Sequence, residues 1–246
     1  MRRLASRVIL ETKERFHEKI FVAGFHGVGY VGFLTVQHLV KILGAKRIGF
    51  VVMDRVPPFV RTRENGIATP YELYTAGELV ILLTNVPVPH ESMKDFCEAV
   101  AKWVCNQGFK EAALVGGLDS KTKKNDEKVG LRVAATRRFL EHKRLEEPLL
   151  EEEYYIVGPL AYLLMFFEIC NFPALAVLPY ASVEYPDPRA ATVAIEFFNR
   201  YYGLNVNVDE LVRKAQELEE GLKQLESLGK KLEESSKRGL PGTYYI

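Results

Sequence analysis

Apolar residues recur along this chain in two registers. Short, nearly continuous apolar runs occupy Lys19 to Gly24, Ile48 to Met53, Leu79 to Thr84, Ala112 to Val115 and Ala174 to Leu178. Runs of that length read as strands buried on both sides, and Ile48 to Met53 in particular reads as a parallel strand. Between them the apolar positions fall three and four apart, which predicts amphipathic helices. One helix runs from Val28 to Leu43 with Gly44 as its C-cap, and a second from about His90 to Asn106, with Gly108 just beyond its end. A third, unusually apolar, lies between Pro159 and Cys170, and a fourth starts at Pro186-Asp187-Pro188 and stops at Gly203. Arg7 to Glu11 adds a first short strand, and Leu131 to Thr136 another. Asn65-Gly66 between extended runs is a hairpin signal. Strands alternating with helices through position 203 predict an α/β fold of three layers around a mixed, largely parallel sheet.

Beyond residue 204 the pattern changes. Val208, Leu211, Ala215, Leu218, Leu222, Leu225 and Leu232 follow a 3-4-3-4-3-7 spacing, a seam with Gly229 in one slot, and Glu and Lys fill the other faces. So narrow a seam requires either the body of its own subunit or the same helix of a neighbour. Leu211, Leu218, Leu222 and Leu225 are therefore the candidates for oligomerisation. After Ser235-Ser236 the sequence Gly239-Leu240-Pro241-Gly242 stops a helix, and the last residues are Thr243-Tyr244-Tyr245-Ile246. The chain thus divides into an α/β body at 1–204, a long helix at 205–236 and a flexible tail at 237–246. A tail ending in two tyrosines and an isoleucine either folds back on its own domain or docks on a partner.

The stretch richest in possible chemistry is Gly24-Phe25-His26-Gly27-Val28-Gly29-Tyr30-Val31-Gly32, at a predicted strand-to-helix corner. Gly27-x-Gly29-x-x-Gly32 matches the dinucleotide fingerprint. Asp54 falls 22 residues past the last glycine, where a ribose-binding acid would stand on the next strand of a βαβ unit. On that reading the chain is an NAD(P)-binding oxidoreductase, with His26, Asp54, His90 and Asp119 at predicted strand ends as its available side chains. The competing reading makes Gly24, Gly27, Gly29 and Gly32 a structural corner that needs no cofactor, His26 a hydrogen-bonding residue of the turn and Asp54 a strand-end cap. No two of the five histidines have metal-ligand spacing, and G-x-S-x-G, a Walker lysine and H-E-x-x-H are all missing from the sequence.

Composition narrows the classes further. With 33 basic and 32 acidic residues the formal net charge is +1, so no global field draws the chain onto nucleic acid or an anionic membrane. The lysines of the 120–128 loop are offset by Asp126 and Glu127, with no aromatic among them. No apolar stretch reaches the ~20 residues of a membrane span, and Met1-Arg2-Arg3-Leu4 does not open a secretory signal, so a cytoplasmic protein is expected. Cys97, Cys105 and Cys170 lie within apolar runs and are expected to be buried structural thiols.

Three segments together carry a resemblance. Gly24-Phe25-His26-Gly27-Val28-Gly29, the strand-ending Val115-Gly116-Gly117-Leu118 and, most specifically, Tyr185-Pro186-Asp187-Pro188-Arg189-Ala190-Ala191 resemble the proteasome assembly chaperone family in its archaeal form. That resemblance implies a nucleoside-phosphorylase-like α/β sandwich with no known catalytic role and no cofactor. Tyr244-Tyr245-Ile246 resembles the hydrophobic-Tyr-any (HbYX) motif, by which activators insert C-termini between α subunits of the core proteasome. By that likeness Tyr244 would make the apolar contact, Tyr245 would be the hydroxyl-bearing anchor, and Ile246 would supply the terminal carboxylate. The partners implied are the α subunits of the core proteasome, further copies of this chain and another family member. The alternatives are the oxidoreductase above and a self-assembling scaffold that never meets the proteasome.

Overall fold

The structure, a computed structural model, describes residues 6–64, 66–123 and 130–220. The strands are β1 (Arg7–Leu10), β2 (Ile20–Gly24), β3 (Lys46–Val52), β4 (Arg61–Arg63), β5 (Gly66–Ala68), β6 (Tyr71–Ala76), β7 (Leu79–Thr84), β8 (Glu111–Val115), β9 (Leu118–Asp119), β10 (Leu131–Ala135) and β11 (Ala174–Ala181). The helices are α1 (Val31–Ile42), α2 (His90–Asn106), α3 (Arg137–His142), α4 (Gly158–Ile169), α5 (Pro188–Tyr202) and α6, whose described part is 209–220.

The main sheet has the order β1-β3-β6-β7-β2-β8-β11-β10, with β9 alongside β11. Its centre, β7-β2-β8-β11, is parallel, and antiparallel pairs flank it: β1-β3, β3-β6 and β6-β7 on one side, β11-β10 on the other. The central strands are fully apolar because both faces are covered. In β2, Phe21 and Ala23 point into a core shared with α2 and α4, while Ile20 and Val22 point into a second core shared with α1, α3 and α5. The same alternation continues in β8, where Ala112 and Leu114 belong to the first core and Ala113 and Val115 to the second. The expected three layers and mixed sheet are therefore present.

One expectation fails. β3 is not a parallel neighbour of β2 but lies antiparallel to both β1 and β6, with the β6-β7 hairpin between it and β2. A continuous apolar run reports burial on two faces and is silent about the direction of the neighbouring strand. The βαβ unit inferred around the glycine corner is thus interrupted by two strands. The hairpin expected at Asn65-Gly66 is present as the small antiparallel sheet β4-β5, although Asn65 itself lies outside the described residues. The cysteine reading also needs correction. Cys97 is buried, but Cys105 is half-buried and Cys170 is exposed, because both stand at helix ends where the covering layer runs out. The short helix α3 had no signature in the apolar pattern, since Phe139 is its one buried residue.

Candidate functional site

The glycine corner sits at the C-terminal ends of the parallel strands, where α/β proteins commonly bind ligands. Its backbone is filled from within. After β2, Gly27 N–H donates to Phe25 O (3.0 Å) and Tyr30 N–H to Gly27 O (2.9 Å), which closes a 3-10 turn over Val28–Tyr30. Gly29 in that turn has φ +57°, and a Cβ there would lie 2.7 Å from Ala181 Cβ. Tyr30 follows in the left-handed region (φ 53°), and only then does α1 begin. The strand and helix cross so closely that a Cβ on Gly24 would collide with the Gly32 backbone. These are packing reasons for glycine.

Several of the N–H groups at this corner are turned inward, onto its own loop. Val31 N–H bonds Val28 O, and Phe33 N–H bonds Phe25 O at 3.1 Å. Asp54 is exposed at the end of β3, three strand positions from β2, a lateral separation of about 14 Å. A ribose bound at the corner could not reach it. His26 stacks on Phe33 at 4.2 Å between centroids and meets Tyr30 edge-on at 5.6 Å; its Nδ1 is buried without a partner. Burial pushes its pKa down to about 4, so the ring is neutral at pH 7. His90 opens α2 on the surface, and Asp119 caps the turn after β9 by accepting Lys121 N–H at 2.9 Å. Each of these side chains stands at the end of a different strand, spread along the sheet. Among the described residues no group of three His, Cys, Asp or Glu side chains is placed to hold a metal ion.

What the corner does engage is the Tyr185 to Ala191 segment. Asp187 N–H donates to Gly29 O at 2.8 Å, while its carboxylate accepts Ala190 N–H at 2.9 Å as the N-cap of α5 and Ser182 N–H at 3.1 Å. Gly117 packs against the Val28 carbonyl from the other side. The three motifs that looked separate in sequence therefore form one junction at the top of β2, β8 and β11.

From this junction the same segment reaches α6, the helix that leads toward the C-terminus. Arg189 pairs with Glu219 at 2.5 Å. The root of α6 is fixed by Asn199, whose amide donates to Val206 O and accepts Val206 N–H, both at 2.9 Å, and by His38 Nε2 at 2.7 Å from Asn207 O. Asn207 Oδ1 then accepts Asp209 N–H at 2.6 Å and starts the helix. Glu210 bridges Lys41 (2.7 Å) and Lys214 (2.9 Å), and these two ammonium groups hold its pKa down, at about 2. The polar anchors were missed in the sequence; the visible signal was Asn207 two residues ahead of Asp209 at the start of the leucine seam.

Of the oligomerisation candidates, Leu211 is buried, with Ala215 a turn further on, in the core shared with α1 and α5. At this position the seam is spent within the subunit, because the α1/α5 face is apolar and adjacent. Leu218 is half-buried. Leu222, Leu225 and the residues expected to dock, Tyr244, Tyr245 and Ile246, lie outside the described residues. No helix among the described residues is long and apolar enough to cross a membrane.

Comparison with known proteins gives a consistent placement. The model of the PAC2 family matches residues 21–226. An uncharacterized protein of Methanocaldococcus jannaschii is 24% identical over 237 residues, covering 96% of this chain and 97% of that one. In fold, the chain is similar to Pyrococcus furiosus PbaA, described as an archaeal homolog of proteasome-assembly chaperone. That match has a TM-score of 0.77 and 22% identity over 94% of this chain and 97% of that one. It is similar as well to Pyrococcus furiosus PbaB, described as an archaeal proteasome activator (TM-score 0.72, 22% identity, 90% and 99% covered).

Proposed function

The chain belongs to the PAC2 family, and from that premise we propose that it is a non-enzymatic, cytoplasmic assembly factor or activator of the core proteasome. It acts as a homo-oligomer that docks its C-terminal residues Tyr244, Tyr245 and Ile246 between α subunits of the proteasome ring. The observation that carries this reading is the near full-length fold match to an archaeal chaperone homologue and to an archaeal activator, joined to the hydrophobic-Tyr-any pattern of Tyr244-Tyr245-Ile246. On this reading the glycine corner is a packing junction, in keeping with the bonds it makes to its own loop and to Asp187.

The physics of such docking favours many tails. A single tripeptide covers little surface and binds weakly. An oligomer with several tails makes each later insertion intramolecular, at effective concentrations in the millimolar range. The rigid root at Asn199, His38 and Asn207 would fix where each α6 leaves the body.

The test compares the intact protein with a chain lacking Tyr244-Tyr245-Ile246 and with Tyr245→Ala, in pull-downs on archaeal core proteasome and in peptide hydrolysis by it. Loss of retention and of stimulation in both variants is expected. A truncated chain that binds and stimulates like the intact one rules tail docking out and leaves the self-assembling scaffold. A chain with one residue added after Ile246 displaces the carboxylate while keeping every side chain, and it should fail as the deletion does.

A further inference from the structure

Exposed large apolar side chains concentrate around one helix that the proposed function has not used. Tyr155, Val157, Met165 and Ile169 are 87, 79, 44 and 71% exposed, and all lie on α4 or in the few residues leading into it. The helix carries apolar residues on every side. Leu160, Leu163 and Phe167 are buried toward the sheet, whereas Met165 and Ile169, four apart, face outward, with half-buried Tyr162 a turn before Met165 at their edge. Tyr162 and Phe166 are half-buried, with their rings stacked at 6.3 Å.

This face and its approach expose roughly 500 Å² of apolar side chain, near the top of the range for the largest patch a soluble monomer leaves in water. That is most of the ~800 Å² that one partner of a stable complex contributes. Tyr, Phe and Met are also the side chains enriched at interface centres. The patch lies on the α2/α4 side of the sheet, while α6 is docked with α1 and α5 on the other. Contact through it would therefore leave the roots of the C-terminal helices free. The leucine seam is less available for the same task, because Leu211 and Ala215 are already buried within the subunit.

We propose that a second copy of this chain covers this face, α4 packing antiparallel against α4 of its partner about a two-fold axis. Charge selects the antiparallel arrangement. Glu152 and Glu153 stand exposed at the start of the patch. At its other end Lys102, Arg137 and Arg138 balance Glu98, Glu141 and Glu168. Parallel helices would oppose the two acidic ends, whereas antiparallel helices set each against a neutral one. The inference deepens the proposed function, which needs tails in more than one copy, but its test involves no proteasome.

The test is light scattering on the full-length protein at micromolar concentration. The intact chain is expected at a multiple of its 27.9 kDa. The double variant Met165→Glu, Ile169→Glu should weaken self-association at least 100-fold and lower the mass to half or less. Its circular dichroism should stay native, since both side chains are already exposed, while its melting temperature should lose the part that self-association contributes. A second variant, Tyr155→Glu with Val157→Glu, lies ahead of the helix and should do the same even if charges on α4 disturb its folding. A monomeric wild type, or folded variants that keep the wild-type mass, would overturn the proposal. So would an oligomer that dissociates on Leu222→Glu with Leu225→Glu but not on the α4 changes. Failure of proteasome binding with the α4 result intact would count against tail docking alone.

Discussion

Replacing Asp187 by alanine tests whether the junction of motifs is structural. The side chain holds two backbone donors, Ala190 N–H at 2.9 Å and Ser182 N–H at 3.1 Å, and its own N–H ties this segment to Gly29 O at 2.8 Å. The substitution keeps that last bond and removes the other two. Loss of the α5 cap costs about 1 kcal/mol, and loss of a second, charge-assisted bond about 1.5 kcal/mol more. Water can replace part of each, because the carboxylate is only half-buried. A net loss of ~2 kcal/mol lowers the melting temperature of a body this size by roughly 4–8 °C. Asp187→Asn should lose about half as much, since the Asn oxygen still caps α5 while its amide cannot accept from Ser182. Thermal melts followed by circular dichroism at pH 7 read both variants. A melting temperature of Asp187→Ala within about 1 °C of wild type, a quarter or less of the drop expected, would refute a structural role for this residue.

Other consequences can be measured alongside. Leu211→Ala should destabilise the protein by about 2–4 kcal/mol in urea titrations, because it opens a cavity where α6 meets α1 and α5. His26 has a folded pKa of about 4, below its ordinary 6.5, so its contribution is present above pH 6.5 and is lost as pH falls toward 4. With the ring partly open to water, that loss should amount to ~1–2 kcal/mol after screening, and it should disappear from the acid limb of stability in His26→Phe. Cys97, buried and with its thiol pushed up to about 12, should resist a thiol reagent until the protein unfolds, whereas exposed Cys170 should react in the native state. A glycine corner that is purely structural also predicts no shift in melting temperature when NAD or NADP is added at millimolar concentration. A rise of several degrees would reopen the oxidoreductase reading.

Periodicity alone determined much of this protein. The runs at Lys19 to Gly24, Leu79 to Thr84 and Ala112 to Val115 read as strands covered on both faces, and β2, β7 and β8 stand there with every residue buried. His90–Asn106 and Pro188–Tyr202 carry their helical face and their boundaries in local chemistry, down to Gly203 in the left-handed region that ends α5. Which strands are neighbours was not legible. Apolar runs do not encode direction, and only the closed sheet reveals that β6 and β7 separate β3 from β2. That one insertion takes Asp54 away from the glycines and breaks up the pairing that local spacing suggested. The motifs around Gly29, Gly117 and Asp187 were visible one by one, but their union depends on the hydrogen bond from Asp187 N–H to Gly29 O and on Gly117 packing against Val28, contacts between residues far apart in the chain. The leucine seam gave the α6 helix its pattern, yet which surface takes up Leu211 and Ala215 was decided by the apolar α1/α5 face, a property of the folded body that spacing along the chain cannot contain.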